Sequence, residues 1–487
     1  MNSLSVNIPR FNELERIIFE LGCEVARNIM QQILQKADKE IERKRNKSEY
    51  RHKGARTTTI KTLMGEVSME RTLYKKIRDD GAVEHVFLLD EMLGMDTIGH
   101  MSPNLVEKIA GQACEMSYRE VAATVSGLTG QNISHQGAWD VVQALGEKQV
   151  ETEKKLVEAF NQGKLSGKKE VPVLFEEADG LWLAMQGKSR KGTSKGRKEM
   201  KAGVIYEGWE KRYPSSKEYK TIEKTAFAGY MKPEDFKALR DAAVAEKYNV
   251  DEIQYRVLNG DGAPWIRNGH DTETDVFQLD AYHLARSIIR NVCNRQDGRI
   301  IHKWLKAGEF EKVFDKINVL KYECGGEEKE VKKLATLEEY IRSNIDGIVN
   351  YKERIKANTD KLPEGIEYRN LGTMERNVDI FAERMKGAKS WSEQGATNLS
   401  KILALKMGKG FNDKIAALVS GKMSAYLTER FEEAVRSSRN GLNKAMKKSI
   451  YPMHRGQIPF ASCKVTNGRK AIRSMFDLQP FSEMAYR

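Results

Sequence analysis

No stretch of this chain holds the roughly 18 consecutive apolar residues that a membrane helix needs, so no spanning segment is expected. The opening residues, Met1-Asn-Ser-Leu-Ser-Val-Asn-Ile-Pro-Arg, lack the basic start and apolar core of an export signal. Cysteine is scarce and scattered: Cys23, Cys114, Cys293, Cys324 and Cys463 are odd in number and form no Cys-x-x-Cys pair. That pattern argues against a disulfide framework or a zinc finger and suits a reducing cytoplasm. No internal repeat or low-complexity segment stands out. What is present is a soluble, globular composition, 40% hydrophobic and 31% charged, over 487 residues. That length can bury several cores, so about two to four domains are expected.

The charge is not balanced. Lys and Arg number 82 against 69 Asp and Glu, a net of +13. Its distribution says more than its size. Ten basic residues and no acidic one lie between Arg436 and Arg473, seven against one between Lys188 and Lys201, and nine against three between Lys39 and Lys61. Blocks of this kind favour a polyanionic partner, because Lys and Arg displace the counterions condensed on phosphates.

Periodicity divides the chain. Residues 10–48 carry apolar side chains at helical spacing (Leu14, Ile17, Ile18, Leu21, Val25, Ile29), which predicts a long packing or dimer helix. Alternation around Gly65 predicts a β-hairpin. Ser117-Tyr-Arg-Glu is a capping box, Gly127 and Gly130 mark a turn, and Ser134 opens a further helix. Helix, glycine turn, helix is the arrangement that sets a second helix in the DNA major groove, with His135, Gln136 and Asp140 as outward candidates on it; an ordinary helical hairpin is the alternative. From residue 171 strands follow at 172–185, 200–209 and 224–230, then a helix at 233–248 and strands at 253–258 and 275–279. A three-strand meander, a helix, then strand, helix, strand is the order of an RNase H-like core. Residues 284–370 read as an all-helical insertion.

Three acidic residues sit where that core carries its chemistry. Asp179 interrupts the apolar run Val171-Pro-Val-Leu-Phe-Glu-Glu-Ala-Asp-Gly-Leu-Trp-Leu, Asp261 ends Tyr255-Arg-Val-Leu-Asn-Gly-Asp-Gly, and Glu375 opens a helix after Gly372-Thr-Met. Taken alone, each Asp-Gly is a turn signal and the glutamate a solvated residue. Taken together, two strand aspartates and a helix glutamate can hold two divalent ions, Mg²⁺ with Mn²⁺ as substitute, for phosphoryl transfer. Asp280 and His283 form an Asp-x-x-His pair that could orient a phosphate or cap a helix. Trp182 and Trp265 could stack on bases or serve as core or lid residues.

The stretches Arg56–Arg71, Glu115-Met-Ser-Tyr-Arg-Glu, Glu177-Ala-Asp-Gly, Asn259-Gly-Asp-Gly-Ala-Pro-Trp-Ile, Leu279-Asp-Ala-Tyr-His-Leu and Trp391-Ser-Glu-Gln-Gly-Ala resemble the ISLre-two insertion-sequence transposases, bacterial relatives of the Mutator-like transposases. The resemblance implies metal-dependent cleavage at the ends of a mobile element and strand transfer into a target. It places the catalytic and metal-binding triad on Asp179, Asp261 and Glu375, with Asp280 and His283 accessory. Here Glu375-Arg-Asn-Val-Asp departs from the small residue that follows the glutamate in many relatives, so Glu383, eight residues on, is the fallback.

The expected architecture is α+β and multidomain. It comprises an N-terminal helix and hairpin (1–95), a helix-turn-helix-like DNA-binding domain (96–165), a first catalytic part (166–290), a helical insertion (291–368), the glutamate helix (369–405) and a basic C-terminal region (406–487). Lys188, Arg190, Lys191, Arg197, Arg439, Lys447 and Lys448 join Arg119, His135 and Gln136 as expected contacts to double-stranded DNA, both element ends and target. A homodimer or higher oligomer, in the cytoplasm at the nucleoid, is expected. The alternatives are an RNase H-like nuclease that cuts without joining, and a domesticated DNA-binding regulator without catalysis.

Overall fold

A computed structural model describes residues 10–77, 81–93, 100–268, 275–419 and the positions 432, 436 and 440. Arg439, Lys447, Lys448 and most of the basic C-terminal region lie outside the described residues.

Helix α1 (Phe11–Lys44) leads into a meander of β1 (Tyr50–Thr62), β2 (Gly65–Ile77) and β3 (Val83–Val86), one strand more than the expected hairpin, followed by α2 (Leu88–Leu93). Only the second half of α1 is packed: Leu34, Asp38 and Ile41 are buried, and the Asp38 carboxylate accepts from the Thr72 amide (3.0 Å) and hydroxyl (2.7 Å). Phe11, Leu14, Ile17, Ile18, Phe19 and Leu21 stay exposed.

Three helices follow, α3 (Pro103–Ala113), α4 (Tyr118–Thr129) and α5 (His135–Asn161). The Ser117 capping box is present: Glu120 accepts from the Ser117 amide at 2.8 Å, and Ser117 Oγ accepts from the Glu120 amide at 3.4 Å. Gly130 ends α4 at φ +64°, a left-handed position that costs glycine little. The second helix differs from expectation in length. α5 runs for 27 residues, well past the apolar stripe that predicted it, because its later turns pack against α15 and α6.

The central sheet takes β4 (Val173–Ala184), β5 (Arg197–Tyr206), β8 (Thr225–Gly229), β9 (Tyr255–Gly260) and β10 (Asp275–Leu279), in the order β10-β9-β4-β5-β8. β4, β9 and β10 run parallel; β5 runs antiparallel to β4, and β8 antiparallel to β5, so only β5 is reversed in the sheet. Between β5 and β8 lies a small hairpin, β6 (Trp209–Lys211) with β7 (Tyr219–Thr221). α6 (Pro233–Lys247) links β8 to β9, and the short α7 (Pro264–Arg267) precedes β10. The expected meander, helix, strand, helix, strand is thus present in order. After β10 the described chain is helical: α8 (Ala281–Asn291), α9 (Arg295–Ala307), α10 (Phe310–Glu323), α11 (Glu328–Ser343), α12 (Ile345–Ile348), α13 (Tyr351–Thr359), α14 (Met374–Met385), α15 (Glu393–Met407) and α16 (Phe411–Val419). Among the described residues, no helix is long and apolar enough to cross a membrane.

Strand alternation gives the sheet two apolar faces. Val173, Phe175, Leu181 and Leu183 point to one, with α3–α5, α14 and α15; Leu174 and Ala178 point to the other, with α6 and the insertion. The first core is continuous from α3 through the sheet to α16, so the boundary expected at residue 165 does not separate two cores.

α5 and α15 cross closely at Gly146, where an added Cβ would stand 2.4 Å from Asn398 Cα. Gly146→Ala is expected to destabilise the chain by about 1–3 kcal/mol through overpacking, read as a lower urea midpoint at unchanged m-value.

Candidate active site

The parallel register brings the two predicted aspartates together. Glu177 pairs with Asn259, so two further residues along each strand set Asp179 beside Asp261 on one pleat face. Leu279 pairs with Gly260, and the Asp280 amide donates to the Gly260 carbonyl at 2.8 Å, bringing Asp280 to the same edge. Three acidic residues thus stand where the parallel pairing of β4, β9 and β10 ends, the kind of edge at which open α/β sheets present ligand sites.

Asp179 and its glycine are not a turn. β4 continues to Ala184, and Gly180 pairs with Lys201 inside the strand. A Cβ at Gly180 would meet Glu199 Oε1 at 2.2 Å, so a larger residue there would displace the end of that side chain. Glu199 is therefore a further acidic group at this edge. Its carboxyl is raised by burial, drawn back by Lys201 and raised again by Asp261. Asp261 does form a turn: Oδ1 accepts from the Ala263 amide (2.8 Å), and its carbonyl accepts from Tyr340 Oη on α11 (2.7 Å). Gly262, at φ +87°, leaves room for Asn344, whose Oδ1 would lie 2.4 Å from a Cβ.

Asp280 caps α8, with Oδ1 accepting from the Tyr282 and His283 amides at 3.0 Å each, and Oδ2 accepting from Asn259 Nδ2 at 3.2 Å. The same Asn259 amide donates to Glu177 at 3.1 Å. Glu177, which sequence reasoning passed over, is buried and accepts six hydrogen bonds. Its other donors are Tyr206 Oη (2.5 Å), the amides of Gly372 (3.1 Å), Thr373 (3.2 Å) and Met374 (3.0 Å), and Thr373 Oγ1 (2.7 Å). An anion here satisfies the orphan amides at the start of α14 and meets the positive end of its dipole. The signal was in the sequence: Glu177 shares strand parity with Asp179 and is just as anomalous in an apolar run.

Glu375 stands in the first turn of α14, directly after the Met374 amide that Glu177 holds, but its side chain is exposed. Among the described residues, no three or more His, Cys, Asp and Glu side chains are gathered closely enough to hold an ion. Asp179 and Asp261 are together, and Glu375 is not drawn in with them. Glu383 is also exposed, about 12 Å further along the helix and outside the anchored turn.

Of the expected DNA contacts, Arg119, His135 and Gln136 are exposed at the starts of α4 and α5, Gln136 bonding Asp140 at 2.9 Å. Lys188, Arg190, Lys191 and Arg197 are exposed on the arm joining β4 to β5. Trp182 is half exposed; Trp265 packs edge-on against Phe236 at 5.1 Å, in the core role.

The Asp179 carboxyl is pushed up from 3.8 to about 6, first by burial and then by Asp261 and Asp280, with the Gly180 amide and His283 opposing. In the unfolded chain it ionises near 3.8, so the folded state holds the proton over a higher pH range. Stability from this group is full below about 4 and is lost as pH rises through about 6. A shift of this size corresponds to about 3 kcal/mol. Without divalent ions, Asp179→Asn is expected to be more stable than the parent at pH 8 by about 2–3 kcal/mol, with the gap closing by pH 4. Urea unfolding at the two pH values checks this; a gap independent of pH would contradict it.

The chain matches UPF0236, an uncharacterised protein family, over residues 4–416, and belongs to it. Two UPF0236 proteins of Caldanaerobacter subterraneus subsp. tengcongensis are each 28% identical to it, one over 70% of this chain and 68% of its own length, the other over 71% and 69%. The name of the second joins eleven locus designations of that one organism. A UPF0236 protein of Streptococcus gallolyticus, named for its place in a vanSb 3′ region, is 25% identical over 80% of this chain and 81% of its own.

Proposed function

We propose that this UPF0236 protein is a DDE transposase with an RNase H-like core, which binds the ends of an insertion sequence, cleaves them and joins them to target DNA. The observation that carries the reading is the apposition of Asp179 and Asp261 at the edge of parallel strands, each raising the charge burden of the site. A relative whose one name covers eleven loci in one organism supports it, since an element that copies itself leaves its gene at many positions.

The residues suit hard cations: the donors are carboxylate oxygens, and the carboxyl of the half-buried Asp179 is raised first by burial and then by the charge of Asp261. Asp179 and Asp261 would hold two divalent ions, Mg²⁺ or Mn²⁺, with Glu375 as third ligand, and the bound ions would polarise the phosphate and activate water or a 3′-hydroxyl. The protein's own part is positional. The Ala263 amide and Tyr340 hydroxyl fix the Asp261 turn, Glu177 fixes the turn that carries Glu375, and Asp280 fixes the backbone of His283 beside Asp179.

Bringing two element ends together calls for more than one copy. α1 offers a seam: Phe11, Ile18 and Val25 alternate with Leu14 and Leu21 in steps of four and three, a heptad pattern with most of its residues exposed. Leu14→Glu with Leu21→Glu is expected to convert a dimer to a monomer by light scattering, while an unchanged mass would exclude this seam.

DNA carrying the gene's own flanking ends is the decisive substrate. Nicked and joined products with Mg²⁺ are expected, and Asp261→Ala is expected to reduce them about a thousandfold or more. Cleavage without joining would indicate a nuclease. Tight end binding without cleavage in either protein would indicate a DNA-binding regulator.

A further inference from the structure

α8 starts at Asp280 and buries Leu284 and Ile288. Its sequence, Ala281-Tyr-His-Leu-Ala-Arg-Ser-Ile-Ile-Arg-Asn, contains no acidic residue. At the helical angle per residue, Tyr282, Arg286, Ile289 and Arg290 fall within an arc of about 100°, and all four are exposed, Tyr282 at 48% and Ile289 at 76%. The Arg286 guanidinium lies 5.9 Å from the centre of the Tyr282 ring. Among the described residues no carboxylate pairs with Arg286 or Arg290, whereas a solvated basic helix face commonly has acids three or four residues away. The pattern continues onto α9, where Arg295 and Arg299 are exposed and the acid of its first turn, Asp297, is taken by Lys316 at 2.9 Å. This basic, aromatic face opens at the edge that gathers Asp179, Asp261 and Asp280, and the Tyr282 amide is bonded to Asp280 itself at 3.0 Å.

We propose that this face binds a single strand of DNA, with a base stacked on Tyr282 and Ile289 beside it, and with phosphates set against Arg286 and Arg290. Unpaired guanidiniums interleaved with an exposed ring are the means by which strands are held without regard to sequence. A duplex hides its base faces from such a ring, so the occupant is a strand already separated. The proposal rests on the phosphodiester reading of the carboxylate edge only for where the strand leads.

The test uses the full chain carrying Asp179→Asn, so that nothing is cut, and a fluorescent single-stranded DNA of about 20 nucleotides titrated by anisotropy at several salt concentrations. Tyr282→Ala is expected to weaken binding at least about fivefold while Tyr282→Phe retains it. Arg286→Ala with Arg290→Ala is expected to reduce the slope of log K against log salt by about 1.4, near 0.7 for each phosphate contact on a single strand. The exposed pair Lys329 and Lys332 on α11, changed to Ala, is the control of equal charge and is expected to leave the slope unchanged. Unchanged affinity and slope in the α8 variants would overturn the proposal, and so would an equal loss in the α11 control. If the α8 variants lose the strand but the unmodified chain cleaves no DNA, the phosphodiester reading fails while this surface stands.

Discussion

The Glu177 carboxylate is the contact on which the geometry of the site depends. Burying an ionised carboxylate is costly unless its oxygens are fully bonded, and here six donors converge on it from β5, β9 and the start of α14. Four of those six come from Gly372, Thr373 and Met374, so the anion docks a helix rather than merely surviving burial. Because Glu177 lies two residues before Asp179 on the same strand face, it fixes the first turn of α14 relative to Asp179. Through the Asn259 amide it is also joined to Asp280. One hydrogen-bond chain therefore ties the edges of β4, β9 and β10 to the helix that carries Glu375.

The two faces of β4 treat charge differently, and the difference separates structure from function. On one face Glu176 is held by Arg240 at 2.9 Å and Arg256 at 2.6 Å, and Arg256 also reaches Asp241 at 2.8 Å. That network balances its charges, and Arg256 holds its proton more firmly for it. On the other face Asp179 accepts a hydrogen bond from the Gly180 amide and faces Asp261 and Asp280. Stability alone would favour an arginine or an apolar residue there. Acidic groups held close together at a strand edge raise one another's affinity for protons, as the Asp179 carboxyl shows.

Much of the fold was legible because strand and helix periods are local. The apolar alternation of β4 and the capping box at Ser117 each follow from a few neighbouring residues, and each stands where the sequence places it. The aspartates were legible because polar residues are costly in apolar runs. What was not legible depends on long-range contacts. The length of α5 comes from packing on α15, some 250 residues away, and the role of Glu177 from donors nearly 200 residues later. Asp179-Gly180, a turn signal taken alone, lies inside the strand expected over 172–185, and its pairing with Ala202 and Lys201 keeps it extended. Glu375, solvent-exposed, leaves no mark of burial to be read. Kinship with UPF0236 adds membership and no chemistry.

The helical insertion gives these long-range contacts their purpose. Glu375 follows Asp261 by 114 residues, and chain connectivity over that distance constrains position very little. Placement of the glutamate helix must therefore come from contact, which is what the Glu177 carboxylate supplies. The insertion itself is not a passive spacer: the Tyr340 hydroxyl reaches back to the Asp261 carbonyl, and Asn344 packs against Gly262. One aspartate is thus held through α11 and the other is built into β4, while the glutamate helix is held through Glu177. Sheet and insertion thus both shape the acidic edge, and α14 is docked on the same strand through Glu177.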